Sequence, residues 1–599
     1  MAQLVADYIL ERLREWGLTR IYGYPGDGIN GFLGALDRAH PQTEFVQARH
    51  EEMAAFMACG HAKFTGGAGV CMATSGPGAI HLLNGLYDAK LDHAPVVAIV
   101  GQQKRMSLGA EYQQEVDLQV LFKDVSEFVQ VCMEPAQARH LVDRAVRIAL
   151  DRHGVCTLIV PNDVQEEKAV PSPPREHGAV FSSVGYTPPR ILPQEAELED
   201  AARILNEGKK VAMLVGQGAA GAREELVETA MLLGAGVAKA LLGKAVLPDD
   251  LPFVTGSIGL LGTTASYELM KGCDTLLMVG TSFPYSEFLP KEGQARGVEI
   301  DHDASRVGIR YPVEAGLIGD ARETLRALIP KLERKQDQSW REQIESQVEE
   351  WWRVVDDRAH QPGDPMNPQR VVWELSQRLP DEAIVAADSG SSTNWFARDL
   401  RLKAGNLASL SGTLATMGPG TPYAIAAKLA HPGRPVIALV GDGAFQMNGM
   451  NELITVKRYE DRFRDGGFVI CVFNNQDLNQ VTWEQRVLSG DPKYPGTQWI
   501  PSVPYAQYAE LLGFEGIYCE DGEQVGAAWE QALASKRPCV LEVKTDPEIP
   551  PLPPHITRMQ AQKMAKAMVK GDPERTGVME KSLRGKLAEF KESLAPGRK

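Results

Sequence analysis

Short apolar runs alternate with longer stretches in which apolar residues recur three and four positions apart, and the alternation continues along almost the whole chain. Val5 to Trp16 has the helical spacing. Arg20 to Gly23, Glu44 to Gln47, Gly69 to Ala73, Val96 to Val100 and Thr157 to Val160 read as strands, and so do Val211 to Val215, Thr275 to Val279, Gly297 to Ile300, Ala383 to Ala387, Val436 to Val440 and Phe468 to Phe473. Continuous apolar runs of this kind belong to strands covered on both faces. Strands that alternate with helices predict an α/β fold class, with mostly parallel central sheets in three consecutive three-layer domains.

Two breaks in the pattern divide the chain. The proline-rich stretch PSPPREHGAVFSSVGYTPPRILP lies within Val170 to Pro193, and a highly charged helix covers residues 335–361. The expected organisation is a first domain at 1–168, a linker at 169–193, a middle domain at 194–334, a connector at 335–365, a third domain at 366–550 and a basic tail at 551–599. Trp351 and Trp352 read as anchors for packing between domains. A chain of 599 residues is too long for one core.

Composition narrows the function. The net charge of -15 argues against nonspecific nucleic-acid binding, which needs phosphate neutralisation. No apolar run is long enough to span a bilayer and the first residues mix acids into an amphipathic pattern, so the cytoplasm is the expected location. The eight cysteines have no paired spacing and read as buried thiols. From His555 to Lys599 basic residues outnumber acidic ones, and Met564, Met568 and Val569 form an apolar face opposite Lys563, Lys566 and Lys570. That segment is expected to dock on the protein's own acidic surface; weak contact with an anionic membrane is the less favoured reading.

The strongest chemical signal lies in the third domain. The strand Val436 to Val440 ends in Gly441-Asp442-Gly443-Ala444, and the strand Phe468 to Phe473 ends in Asn474-Asn475. Glycines beside an acid let a backbone approach a bulky anion, and a carboxylate supplies the hard oxygen that Mg²⁺ prefers. Both ends belong at the carboxyl edge of one sheet, where open α/β folds bind ligands. A tight turn after a core strand is the alternative. Other candidate loops are Tyr24-Pro25-Gly26-Asp27-Gly28, Thr74-Ser75-Gly76-Pro77-Gly78, Gly216-Gln217-Gly218 before the helix Glu224 to Leu233, and Asp388-Ser389-Gly390-Ser391. The second of these reads equally as a strand-to-helix turn, and the third as a diphosphate loop or a short joint between strand and helix. Arg49-His50-Glu51-Glu52 opens a helix whose remainder is apolar and small. Glu51 is then either a solvated N-terminal acid or a buried functional carboxylate.

At these residues the chain resembles the thiamin diphosphate (ThDP) enzymes of the pyruvate oxidase and acetolactate synthase family. The resemblance runs from Arg20 to about Pro547, with motifs in the family's order. It implies a pyrimidine-binding first domain, a Rossmann-like middle domain and a diphosphate-binding third domain. It implies that Asp442, Asn475 and the backbone carbonyl of Asp477 hold Mg²⁺. Gly390, Ser391, Gly441, Gly443 and Ala444 would face the diphosphate, while Pro25, Gly26, Thr74 and Gly76 would lie by the pyrimidine and Met417 would prop the bent cofactor. Glu51 would reach N1′ of the aminopyrimidine and drive the tautomer that removes the C2 proton. Glu52, one step round the helix, would face elsewhere.

The middle domain resembles that of pyruvate oxidases through Gly259, Gly262, the run Gly280 to Tyr285 and Gly319-Asp320, which implies FAD held near Gly216, Gly218, Thr281, Phe283, Asp301 and Asp320. Leu242 stands where those oxidases often carry arginine, and a vestigial Rossmann-like spacer is the competing reading. Gln113, Gln114 and Glu484 fall at substrate-side positions. Gln113 replaces the family's phenylalanine, so its amide is expected to bond a substrate oxygen, a water or Glu115. The interval between Asp442 and Asn475 is longer than the usual pattern, and Asn479 replaces a glycine after the metal loop.

The implied activity is decarboxylation of a 2-oxo acid, pyruvate foremost, with oxidation through FAD. Acetolactate synthase-like carboligation and non-oxidative decarboxylation are the alternatives, and a non-catalytic scaffold is the reading from another class. The implied assembly is a homodimer at least, usually a homotetramer, with Glu51 from one subunit facing Asp442 and Asn475 of another.

Overall fold

A computed structural model of the chain describes residues 3–593. It contains three six-stranded sheets in which every neighbouring pair of strands is parallel. In the first sheet Glu44–Gln47, Arg20–Gly23, Gly69–Ala73, Val96–Gln102, Val155–Pro161 and Phe128–Val131 lie side by side in that order. The third repeats the same order with Leu407–Ser409, Ile384–Ala387, Val436–Gly441, Phe468–Asn474, Cys539–Lys544 and Glu515–Cys519. The middle sheet runs Ala315–Ile318, Arg296–Asp301, Thr275–Val279, Val211–Val215, Gly236–Lys239 and Val254–Ser257, the doubly wound order associated with dinucleotide binding.

Four of the strands that pattern alone leaves unread have physical reasons for escaping it. Phe128–Val131 and Glu515–Cys519 are edge strands, only partly buried, so they carry no continuous apolar run. Gly236–Lys239 ends in a lysine that is fully buried because its ammonium meets Asp249 at 2.7 Å. Cys539–Lys544 contains Glu542, buried as the acceptor of Asn474 Nδ2 at 2.6 Å and of the Ala506 amide at 3.0 Å. A charge inside a strand hides it from any reading of hydrophobicity.

One apolar core runs through both the first and third domains. Helix Glu51–Thr65 crosses helix Gly420–Ala430 so closely that a Cβ at Gly60 would stand 3.0 Å from Tyr423. Beside this crossing Asp92 accepts from Lys63 Nζ at 2.7 Å and from the amides of Gly412 and Thr413 at 2.8 and 2.7 Å. Three charge-assisted hydrogen bonds on one buried carboxylate fix the two domains to each other. The middle domain is tied on by Asp249, which holds the buried Lys239 and Lys244 and accepts from the amide of Leu402. The connector helix spans Ser339–Ala359, and its Trp351 is buried with Ala265, Val354 and Val355.

The tail forms helices Arg558–Val569 and Arg575–Ser593; its last six residues lie outside the described ones. It docks on the chain's own third domain through charges of both signs. Lys581 meets Asp546 and Glu548, whereas its acids Asp572 and Glu574 take the fully buried Arg486. Met568 packs on Trp483 and Val578 as part of an apolar contact, but Val569 is 87% exposed and does not share that face. Among the described residues no helix is long and apolar enough to cross a membrane.

Candidate active site

In a parallel sheet a crevice opens at the carboxyl edge where strand order reverses, because the loops of the two strands there leave in opposite directions. In the third sheet that point lies between Ile384–Ala387 and Val436–Gly441. The first strand delivers Gly390, whose φ of 121° only glycine adopts without strain, and Ser391, which begins helix Ser391–Arg398. The second delivers Asp442. Register pairs Gly441 with Phe473, so Asn474 and Asn475 arrive at the same edge from the next strand.

Asp442 is 2% exposed and accepts from the amides of Gly443 at 2.9 Å and Gln476 at 2.6 Å. Burial pushes its carboxyl up to about 7 in spite of those amides. Asn475 leaves the neighbouring strand at the same edge, with its Oδ1 accepting from the Asp477 amide at 3.0 Å, and a desolvated carboxylate with an amide oxygen at one sheet edge is a set of oxygen donors that fits Mg²⁺. The Asp477 side chain is engaged elsewhere, with Thr482 at 3.0 Å, Lys493 at 3.1 Å and Asn479 at 3.1 Å. Asn479 therefore steadies the loop, and it also reaches the carbonyl of Pro547. Ala444 is buried, and a Cβ at Gly443 would meet Leu478 at 2.7 Å and the methyl of Met417 at 3.5 Å. Met417 thus faces the Asp442 loop.

Asp388 ties this crevice together. It is 2% exposed, and it accepts from the amides of Ser389, Gly418 and Gly420 at 2.8, 2.8 and 2.9 Å. One carboxylate thereby joins the loop carrying Gly390 and Ser391 to the loop carrying Met417. Burial pushes its pKa up to about 7.

The equivalent crevice of the first sheet lies between Arg20–Gly23 and Gly69–Ala73. Its loops touch: Thr74 Oγ1 accepts from the Gly28 amide at 2.9 Å, and a Cβ at Gly26 would fall 2.6 Å from Thr74. Pro25 is half-buried in this turn. Gly76, at φ 59°, lies so near Gln114 that a Cβ would be 2.8 Å away, and Ser75 Oγ bonds Gln114 Oε1 at 3.2 Å. Glu51 stands at the start of its helix, 8% exposed, with Oε2 3.0 Å from His81 Nδ1. Its other oxygen is 3.0 Å from where a Gly78 Cβ would sit. Glu52 turns away to Asn84 and to Asn448 of the third domain. The structure therefore gives Glu51 a histidine partner that sequence reading had not linked to it, and Asp388 a bridging position that reading had also missed.

Gln113 is exposed in the single chain. Glu115 is no partner for it, since its carboxylate caps the amides of Gly109 and Tyr112. Glu484 is exposed and accepts from Gln480 Nε2 at 3.0 Å.

In the middle sheet the crevice between Val211–Val215 and Thr275–Val279 is occupied by its own loops. The amides of Gly216 and Gly218 donate to the carbonyls of Val279 and Gly280 at 3.0 and 3.1 Å, and a Cβ at Gly216 would stand 2.3 Å from Gly280 O. These glycines serve a close approach of backbone to backbone, and their amides are not turned toward a diphosphate. Thr281 accepts from the Phe283 amide, Asp301 from the Asp303 amide at 2.9 Å, and Asp320 caps helix Ala321–Leu328 through the Glu323 amide at 3.0 Å. Phe283 is buried edge-on to Tyr285.

Three family models match the chain: the N-terminal TPP binding domain of thiamine pyrophosphate enzymes at residues 4–121, their central domain at 198–328 and their C-terminal TPP binding domain at 388–543. Similar curated proteins include a putative thiamine pyrophosphate-containing protein, YdaP, of Bacillus subtilis, 38% identical over 94% of each chain. A probable acetolactate synthase large subunit of Methanocaldococcus jannaschii is 30% identical over 92% of this chain and 93% of its own. A pyruvate oxidase of Lactiplantibacillus plantarum is 28% identical over 88% and 85% respectively.

Proposed function

The chain belongs to the thiamine pyrophosphate enzyme family, and from that premise we propose that it decarboxylates a 2-oxo acid, pyruvate foremost, and oxidises the product through FAD. The observation that carries the decarboxylation is the third-domain crevice, where buried Asp442 and half-buried Asn475 arrive at one sheet edge beside the Gly390 loop. When bound, thiamin diphosphate supplies the carbon nucleophile and the electron sink that loss of CO₂ requires.

This chain's residues bind and orient. Asp442, Asn475 and the carbonyl of Asp477 would hold Mg²⁺, and Gly390, Ser391, Gly441, Gly443 and Ala444 would border the diphosphate. Met417 is held against Gly443 by the Asp388 clasp and would support the thiazolium side. Pro25, Gly26, Thr74, Gly76 and Gln114 form one wall, in which Glu51 holds or gives up a proton at the aminopyrimidine. Gln113 and Glu484 are exposed in one chain and would reach the 2-oxo acid once a second chain covers the site.

Oxidation through FAD is supported by the buried Phe283, which packs edge-on against the exposed ring of Tyr285, and by the similarity to a pyruvate oxidase. The interlocked glycine loops and the similarity to acetolactate synthases favour carboligation as the second reading. The visible spectrum of the purified protein, with and without pyruvate, separates them. A flavin band that bleaches on pyruvate supports the oxidase. Protein without flavin that turns over pyruvate excludes it.

A further inference from the structure

Two imidazoles and one carboxylate converge at the start of helix Glu51–Thr65. The ligating atoms of His50, Glu51 and His81 all lie within 4.8 Å of one another, and His81 Nδ1 is 3.0 Å from Glu51 Oε2. The rings of His50 and His81 face each other, 4.4 Å between centroids and 32° between planes. We propose that His50, Glu51 and His81 form a binding site for a zinc-class divalent cation, distinct from the Mg²⁺ site at Asp442, and that occupancy switches the enzyme off.

The donor chemistry decides the metal. Two nitrogens and one carboxylate oxygen suit zinc and its borderline neighbours, whereas Mg²⁺ prefers oxygen donors in a near-octahedral shell. Tetrahedral zinc with bonds of roughly 2.0–2.2 Å places its ligand atoms about 3.3 Å apart. The Glu51–His81 pair is already near that spacing, and only His50 has to turn. It has room to turn, because in the single chain the His50 and His81 side chains are 34% and 43% exposed. Glu51 is the fixed member, 10% exposed, on the first turn of a long helix and packed against Gly78.

A metal-bound imidazole is usually steadied by a carboxylate at its other nitrogen. Here Glu52 Oε2 stands 4.0 Å from His50 Nδ1, which in the present state accepts from the Glu52 amide at 3.2 Å. Binding through the far nitrogen would place the proton on Nδ1 and turn it from that amide to the carboxylate. No covalent chemistry is involved.

The inhibition rests on the reading of Glu51 as the group that handles a proton at the aminopyrimidine. A cation on Oε2 draws charge from the whole carboxylate, so Oε1 holds a proton far more weakly. Proton exchange at Glu51 then fails, while the Asp442 site keeps its own metal. The chain would thus carry two cation sites sorted by donor type, one supporting catalysis and one stopping it.

The test uses the holoenzyme in excess Mg²⁺ and thiamin diphosphate, stripped of transition metals. Zn²⁺ is titrated against a chromophoric chelator while 2-oxo acid turnover is followed in parallel. The wild type should bind one tight zinc per chain, turnover should fall with occupancy, and a zinc-selective chelator should restore it. His50→Ala and His81→Ala should each weaken zinc by more than about 100-fold, beyond what losing an outer partner costs. Co²⁺ in place of zinc should give the intense visible bands of a tetrahedral site, lost in both variants. Absence of tight zinc, or zinc affinity unchanged in both variants, overturns the site. Zinc bound at these residues with turnover unaffected overturns the switch. A protein with no 2-oxo acid turnover before zinc is added overturns the proposed function instead, and the zinc and cobalt titrations still decide the site.

Discussion

Glu51 in one crevice and Asp388 in the other are set in different surroundings, one against a histidine and one against three backbone amides. Glu51→Gln keeps the shape of a side chain that faces His81 but removes its proton chemistry. Cofactor binding should stay nearly intact while turnover falls by roughly 10²–10⁴-fold. Exchange of the cofactor's C2 proton, followed by NMR, checks this; normal exchange in the variant would contradict the role. Asp388 is acceptor to three amides, and an asparagine there would turn an NH₂ toward one of them at a cost of about 1–3 kcal/mol. Its folded pKa of about 7 lies above the unfolded value near 3.8. Its contribution to stability is therefore fully present below the unfolded value and is lost as pH rises through about 7. Without cofactor, the thermal midpoint of the wild type should drop relative to Asp388→Asn between acidic pH and pH 8. Parallel profiles would refute this.

Among the elements, the tail helices and the segment after the Asp477 loop form one unit. Arg486, fully buried, is held by Asp572 at 2.9 Å and Glu574 at 2.8 Å, and Lys493 joins Glu574 at 2.6 Å to Asp477 at 3.1 Å. Removing one partner from such a network strands a buried charge and costs about 3–5 kcal/mol, whereas an apolar replacement of a whole pair is close to neutral. Asp572→Leu should lower the thermal midpoint and loosen retention of Mg²⁺ and cofactor on gel filtration, since the loop around Asp477 loses its anchor. Arg486→Met combined with Asp572→Leu should recover much of the lost stability. A double variant no more stable than the single one would show that the pair is not the unit.

For the whole molecule, assembly decides which chains build one site. Helix Glu51–Thr65 contacts the third domain of its own chain through Glu52 and Asn448, while Glu51 keeps to His81 within the first domain. If Glu51 of one subunit serves the Asp442 crevice of another, Glu51→Gln and Asp442→Ala proteins, each inactive, should complement after dissociation and reassembly. Random pairing into dimers leaves one intact site in half of them, or about a quarter of wild-type activity. No regain would place both residues of a site on one chain.

The sequence alone determined the parallel α/β class, the three sheets and the arrival of Asp442 and Asn475 at one sheet edge. Apolar runs fix strands, and parallel strands deliver their ends to one edge whatever lies around them. It could not determine what each residue meets across the fold. His81 comes to Glu51 from thirty residues on, and Asp388 bridges two loops that are distant in the chain. The buried Lys239 and Glu542 hid their strands because only tertiary partners make such burial tolerable. Gly216, Gly218 and Gly280 are the sharpest case. A glycine is needed wherever an atom comes too close for a Cβ, and only the fold shows whether that atom belongs to a ligand or to the neighbouring loop.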